Sequence, residues 1–566
     1  MASRLESLPH PILEECGWHV ALSSKWGSLG NLPSLLLSSR RLHAALSYPS
    51  STSLYARLFG AIFPVNHFFA PSPSMTDATV AKELVERFRT IRRVRMCLLD
   101  EGFVPVDLWR LYLMLLESDG ALVEPFHKIG LPIYLTSFYQ TCLYRFANKN
   151  QGWPRTDDVA ALAMWVSWYT MTEESIHAES METREEVLTR IRPFAMNCLQ
   201  MSTSLRALSS LSEAGSRDIS GLSAQALCNV THFSQRLILS CPNLSSAAIL
   251  LTFARKDALV LRTPQHLNPA VPHQGAGPTY QDCRQFQMQS KPKSSPPIAL
   301  RRQTLPPHGV SGPAVCSDDI RRLFFVHRFQ DTLEGRSLYT PGRMSGSWSG
   351  KLFVSPLIRC CSGITAAQLP DFLCQRPLQC NLREYIRHDA NPGRPQHQDV
   401  WRASDDDAVS WCQDMQRFDI VRQTNSIELH ERVSGRILRY ELMPTPHVGS
   451  IYGSGSSQTE DVVIAGETDS EHDRAWGAFL FFGTVRLQDG RVILRRYPVR
   501  KRNDDPSQPE FGAWVFEGYV HAGSTFVGRW RPDPTLHSSG GCEGIFRLNK
   551  RVQDRPFIEA GIRASL

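Results

Sequence analysis

No stretch of this chain reaches the roughly 18 uninterrupted apolar residues that a membrane-spanning helix needs, so its reading includes no membrane span. The 14 cysteines contain no C-x-x-C pair, only an adjacent Cys360-Cys361 and scattered singles. Without paired spacing they read as reduced thiols of an intracellular protein, cytoplasmic or nuclear, rather than as a disulfide framework or zinc site. Glu6 and Pro9 precede any apolar run, which argues against a secretory signal. A G-x-S-x-G nucleophile elbow is missing, and no recognisable His motif accompanies a cysteine. The Gly453–Ser457 stretch lacks the glycine spacing and the lysine of a phosphate loop. No period of 20 to 50 residues marks a repeat array. The chain is therefore read as no enzyme, with no catalytic residue and no cofactor.

What is present fits a folded multidomain protein. Hydrophobic residues make up 42% and charged residues 21% of 566 positions, ordinary values for globular domains of roughly 100 to 200 residues each. The net charge of +7 gathers in two runs, Arg89, Arg92, Arg93 and Arg95, and Arg495, Arg496, Arg500, Lys501 and Arg502. Asp504 and Asp505 dilute the second, and both runs read as solvated faces, so no nucleic-acid partner is expected. Glu467, Asp469, Glu471, His472 and Asp473 are the right ligand types for a divalent metal. Acids adjacent in one loop usually face water, so no metal site is assigned; Asp405-Asp406-Asp407 is weaker still.

The first sixty residues carry three short apolar clusters: Leu8-Pro9 with Ile12 and Leu13; Leu32 with Leu35 and Leu36; and Leu54-Tyr55 with Leu58. Each is too short to be a stable helix alone, and a unit of this size leans on a partner. The arrangement resembles the F-box, the three-helix motif by which substrate receptors attach to the Skp-type adaptor of a cullin–RING ubiquitin ligase. Leu8-Pro9, Ile12 and Leu13 fit its opening helix. Leu32, Leu35, Leu36, Ser39 and Arg40 fit its middle helix with the following Ser-Arg pair. Leu54-Tyr55-Ala56-Arg57-Leu58 keeps its closing frame, with Tyr for the usual Trp, while the stretch from Cys16 to Asn31 is longer and richer in glycine. The resemblance implies adaptor contacts by Leu8, Pro9, Ile12, Leu13, Leu32, Leu35, Leu36, Arg40, Leu54, Tyr55 and Leu58.

Beyond this motif (residues 1–62), helical periodicity predicts an α domain over 76–260, with helices near 84–94, 106–116, 131–147, 157–171, 183–212, 224–239 and 246–258. Residues 261–318 are rich in Pro, Ser and Gln and read as a flexible linker. Residues 319–566 switch to strand periodicity, with hairpin turns at Val433-Ser434-Gly435, Asp489-Gly490 and Ala522-Gly523. About eight antiparallel strands predict a closed, lipocalin-like β-barrel. Trp348, Trp476, Trp514 and Trp530 are candidate walls of a ligand pocket within it.

This β region carries a second resemblance. The phrases Tyr339-Thr340-Pro341-Gly342, Gly346-Ser347-Trp348-Ser349-Gly350, Gly466-Glu467-Thr468-Asp469, Phe516-Glu517-Gly518-Tyr519 and Phe526-Val527-Gly528-Arg529-Trp530 look like those of a large group of F-box proteins from mushroom-forming fungi. Together the resemblances imply a non-catalytic receptor that holds a Skp-type adaptor and cullin scaffold at one end and an unknown protein target elsewhere. The alternatives are a lipocalin-like binder of a small apolar ligand, or an F-box scaffold acting outside ubiquitination.

Overall fold

The computed structural model describes residues 5–23, 30–65, 75–149, 152–196, 227–257, 279, 281–282, 284, 317–323, 339–356, 374–388, 408–443, 459–487, 489–499, 513–533, 535 and 542–551. Four short helices come first: α1 (His10–Leu22), α2 (Leu32–Ser38), α3 (Arg40–Leu46) and α4 (Thr52–Ile62). The expected middle helix is broken in two because Ser39 adopts extended backbone, and its side chain accepts from the Arg41 N–H to cap α3. Leu13, Leu32, Leu42, Leu46, Leu54, Tyr55, Leu58 and Phe59 are buried between these helices.

A second helical layer follows: α5 (Asp77–Arg95), α6 (Val104–Glu117), α7 (Val123–Lys128), α8 (Leu131–Thr141), α9 (Asp158–Thr170), α10 (Glu173–Ala178), α11 (Met181–Met196) and α12 (Leu244–Asp257). Helix α9 is apolar nearly all round and buried at its centre, as such a helix must be. The helix expected over 183–212 ends at Met196, and 197–212 lies outside the described residues.

The helix expected over 224–239 is instead a hairpin, β1 (Leu227–His232) and β2 (Gln235–Ser240). Its two-residue turn, Phe233-Ser234, has φ of 45° and 61°, a left-handed conformation that favours Asn-Gly and strains a bulky residue. Burial offsets that strain. Phe233 is 2% exposed, sits 5.4 Å from the ring of Phe59 on α4, and its N–H donates to Glu83 on α5. The hairpin tip thus wedges between the N-terminal helices and the second layer.

Arg87 of α5 lies at the same junction, 1% exposed. It pairs with Glu83 at 3.1 Å and with Glu117 of α6 at 2.6 Å, and its guanidinium lies over Phe59 at 4.7 Å, Phe63 at 5.2 Å and Phe233 at 5.6 Å. His232 Nε2 sits 3.0 Å from Glu117. A buried cation needs such opposite charge to offset lost hydration, and the aromatic faces add cation–π attraction.

The second half contains α13 (Ser317–Leu323), β3 (Gly346–Pro356), β4 (Cys374–His388), α14 (Ala408–Met415), β5 (Phe418–Arg422), β6 (Ser426–Glu431), β7 (Ile437–Leu442), β8 (Thr459–Glu467), α15 (Ser470–Trp476), β9 (Phe479–Val485), β10 (Arg491–Pro498), β11 (Trp514–His521), β12 (Thr525–Pro532) and β13 (Cys542–Lys550). Eight strands close an antiparallel barrel in the order β3-β13-β12-β11-β10-β9-β8-β4 and back to β3. The expected barrel is therefore present, but its membership differs. Residues 427–430 and 436–440, expected among the staves, belong to the three-stranded extension β5-β6-β7. That extension attaches where β7 pairs with Tyr385 and Ile386 of β4, just past the end of β3. Two true staves, β4 and β8, were not foreseen, because β4 carries Pro377 and a mixed polar pattern and β8 has no alternation, Val462, Val463, Ile464 and Ala465 all being buried. Gly518 and Gly528 face each other across β11 and β12; a Cβ on Gly518 would lie 2.0 Å from the Val527 carbonyl oxygen, so the tight coil there demands glycine.

Both faces of the barrel wall are covered. Phe353, Val527 and Ile545 point outward into the helical core, and Phe353 stacks on Phe253 of α12 with centroids 4.4 Å apart. Asp257 at the end of α12 accepts from Lys351 of β3 and Arg547 of β13, each at 2.7 Å. On another side Val463, Ala465, Phe482 and Val515 pack under Trp411, Met415, Phe418, Leu429 and Tyr440 of α14 and the extension. Helix α13 joins the hairpin ends: buried Asp319 accepts from His521 at 2.9 Å, and Arg322 donates to the Val520 carbonyl at 2.9 Å. The linker expected over 261–318 lies outside the described residues except for 279, 281, 282, 284, 317 and 318. Within it Asp282 accepts from Thr279 and pairs with Arg474 of α15 at 3.0 Å.

Arg87→Ala should lower unfolding free energy in urea by about 3–5 kcal/mol, the usual effect of stranding buried carboxylates. Glu117 has its own pH signature. Burial pushes its carboxyl up, yet the Arg87 charge and His232 outweigh that and hold it below the ordinary value of 4.5. A group depressed in the folded state contributes stability above its unfolded pKa and loses it as pH falls through the folded value. Urea midpoints should therefore fall on acidification below about pH 4.5, and Glu117→Gln should show a shallower fall.

Candidate docking site

The N-terminal helices divide the sequence-predicted adaptor residues in two. Leu13, Leu32, Leu54, Tyr55 and Leu58 are buried in the chain itself, at 4% exposure or less. They build the module and are not available to a partner surface. Tyr55, in place of the usual Trp, packs edge-on against Tyr48 at 5.8 Å and donates to the Leu46 carbonyl. The other group faces outward: Leu8 is 36% exposed, Ile12 48%, Pro9 and Arg40 are exposed, and Leu35 and Leu36 are half-buried. Sequence reasoning missed Leu37, the most exposed of these at 84%. Its signal was the unbroken Leu35-Leu36-Leu37 run, because three consecutive helix positions span about 200° and cannot all face one core.

Local polar bonds fix this surface. Ser39, between α2 and α3, donates to the Glu6 carboxylate, which draws the Leu8-Pro9 segment beside the last turn of α2. His10 Nε2 lies 3.0 Å from the Ala45 carbonyl, holding the start of α1 against the end of α3. Glu14 accepts from Ser51 and, at 2.7 Å, from Ser53, which ties α1 to the start of α4. Burial pushes the Glu14 carboxyl up, but these hydroxyls and nearby charges hold it below the ordinary value. Arg57 pairs with Glu15 at 2.8 Å and lies over Trp18 at 4.7 Å. A frame of this kind preorganises an apolar surface, so docking need not order it.

The four candidate pocket tryptophans do not form one pocket. Trp348 and Trp530 point into the barrel at 0% and 2% exposure. Their indole N–H groups donate to the Met344 carbonyl at 2.7 Å and the Phe353 carbonyl at 2.9 Å. Trp514 lies 4.3 Å from Trp530 with Arg496 over its face at 3.7 Å. Trp476 ends α15, half-buried, on the connection between β8 and β9. Aromatic side chains pack inside it: Phe546 sits 5.2 Å from Phe516 and 4.8 Å from Phe526, and Leu352, Phe526 and Phe546 are fully buried.

One barrel end is closed by the segment at residues 339–345. Buried Glu384 of β4 accepts from Tyr339 Oη at 2.8 Å and from the N–H groups of Gly342, Met344 and Ser345 at 2.6, 2.5 and 3.1 Å. Burial raises its carboxyl above the ordinary value despite these donors. The phrases that suggested the fungal group thus supply Tyr339, Trp348 and Trp530 to barrel closure and core. The acidic loop is likewise structural. Asp469 caps α15 through the His472 N–H, Asp473 accepts from Thr468, and His472 Nδ1 lies 3.2 Å from the Gly477 carbonyl. Among the described residues no group of three metal-ligating side chains is arranged to hold an ion, and no helix is long and apolar enough to cross a membrane.

No family model matches this chain, and no curated protein or solved structure matches it.

Titrating the chain with small apolar compounds should give no saturable quenching of tryptophan fluorescence, since Trp348 and Trp530 have no free space beside them. One-to-one saturation would show that the interior opens. Glu384→Ala should destabilise the barrel by removing the acceptor of the buried Tyr339 hydroxyl and Met344 N–H, at roughly 1–3 kcal/mol for each donor left unmet. Glu384→Gln should retain most of the stability.

Proposed function

We propose that this chain is the substrate-receptor subunit of an SCF-type cullin–RING ubiquitin ligase. The observation that carries the proposal is the division of the N-terminal apolar residues. One set is buried in the core beneath the four N-terminal helices, while Leu8, Pro9, Ile12 and Leu37 are exposed and Leu35 and Leu36 half-buried on the same segment. A cluster of outward leucines beside an exposed proline costs solubility unless a partner covers it. An adaptor groove would gain roughly 1.5–3 kcal/mol for each large apolar side chain it buries. Arg40 stands at the rim, where a cation steers association more than it adds affinity.

In this reading the chain performs no chemistry. Ubiquitin transfer belongs to the RING subunit and the conjugating enzyme, and the chain's task is to hold a target at a set place. Against the lipocalin-like alternative stands the burial of Trp348, Leu352, Phe526 and Phe546 within the barrel.

Leu8→Ala with Pro9→Ala, and separately Leu37→Asp, should abolish recovery of a purified fungal Skp-type adaptor in pull-downs while leaving the thermal midpoint unchanged. Adaptor recovery equal to wild type in both variants sinks the docking claim. Leu54→Ala serves as the contrast: it should lower stability by about 2–5 kcal/mol through a core cavity.

A further inference from the structure

We infer that the hollow between the β5–β6 turn and β7 binds a small zwitterion, a free dipeptide. The site shares no residue with the N-terminal docking surface, so the inference stands whether or not those helices hold an adaptor. The hollow has a volume of about 510 Å³, within the roughly 300–1,000 Å³ of small-molecule sites. The turn supplies Gln423, Thr424, Asn425 and Ser426, and β7 supplies Arg439, Glu441 and Leu442. Backbone bonds hold the turn in place: the Gln423 N–H donates to the Ser426 carbonyl at 2.9 Å, and the Leu442 N–H donates to the Asn425 carbonyl at 2.8 Å. Ser426 Oγ donates to Gln423 Oε1 at 2.9 Å, which fixes that carboxamide and leaves its NH2 group as a donor. Leu442 is the one apolar side chain among these residues, and none of them is an aromatic ring on which a sugar or base could stack.

Two charges select the ligand. Arg439 and Glu441 alternate on β7, so both stand on the same face of the sheet, about 7 Å apart along the strand. Both are exposed, and neither has a hydrogen-bond or ion-pair partner among the described residues. Glu428, directly across from Arg439, is paired instead with His430 at 3.1 Å, and Ser426 stands across from Glu441. An unpaired cation and an unpaired anion on one wall match a molecule that carries both charges. A simple anion would meet Glu441, and a simple cation would meet Arg439. A free amino acid holds its ammonium and carboxylate within one residue's length, roughly 3.5 Å, too short to lie alongside the pair. Two residues span about 7 Å. A dipeptide therefore sets its carboxylate on Arg439, in the bidentate geometry a guanidinium offers, and its ammonium on Glu441. The Gln423 and Asn425 carboxamides are the donors and acceptors left for its central peptide group.

Isothermal titration of the intact chain with Ala-Ala, Ala-Gln and Leu-Ala provides the test. At least one should bind one-to-one and saturate by about 10 mM, a weak affinity in keeping with an open site. Acetylating its N-terminus or amidating its C-terminus should each weaken binding about tenfold, the effect of losing one charge-assisted hydrogen bond. The variants assign the two ends. Arg439→Gln should bind the free and C-amidated forms equally, and Glu441→Gln should bind the free and N-acetylated forms equally. Both side chains are exposed, so thermal midpoints should stay at the wild-type value. No saturation with any of the three dipeptides overturns the proposal. Binding indifferent to blocked ends, or unchanged in both variants, overturns it equally. Free alanine bound as tightly as Ala-Ala overturns the assignment of a dipeptide.

Discussion

Arg87 holds three parts of the chain at one point. Its charge is met by Glu83 and Glu117, and its flat face is met by Phe59, Phe63 and Phe233. The aromatics come from the N-terminal module and the hairpin, while the carboxylates come from the second helical layer. Neither set alone would tolerate the other buried nearby. Removing the guanidinium leaves two buried acids facing each other, and removing the aromatics leaves a cation without cover. The N-terminal helices are therefore fused to the body of the protein and do not hang from it on a tether.

The same logic of double use runs through the barrel. Its inward residues make one core, and its outward residues are claimed by α12 on one side and by α14 with the β5-β6-β7 extension on the other. Lys351 and Arg547 sit on the outer wall where most barrels face water, and both pair with the single carboxylate of Asp257. A strand buried on two faces loses the hydrophobic-polar alternation of a half-exposed sheet, as β9 does with Phe479-Leu480-Phe481-Phe482.

That loss bears on what the sequence could reveal. Helix periodicity placed α5, α6, α9 and α12, because each has a long, regular apolar face. Tight turns such as Asp489-Gly490 marked the barrel hairpins, since their left-handed backbone is written in residue type. The β1-β2 hairpin was illegible because its turn is Phe233-Ser234, a pair whose conformation is enforced by tertiary burial. Strands β4 and β8 were hidden by Pro377 and by the unbroken buried run Val462–Ala465, and the extension strands looked like barrel staves because they pair in the same way. At the candidate site, Leu8, Ile12 and Arg40, adaptor contacts by the resemblance, lie exposed. Leu13 and Leu54 have the same residue type and similar spacing, and only packing separates core from surface.

The register of the barrel also sets an order of events during synthesis. Strand β3 can pair with β4 early, but its other edge waits for β13, where Trp348 meets Lys550. Until that last strand leaves the ribosome the sheet stays open, with two unpaired edges and its aromatic interior uncovered. Helix α12, made much earlier, must meanwhile carry Asp257 without Arg547 of β13. Pairings this distant along the chain close slowly and expose sticky intermediates. A chain that stopped before Cys542 would lack the stave that closes the barrel.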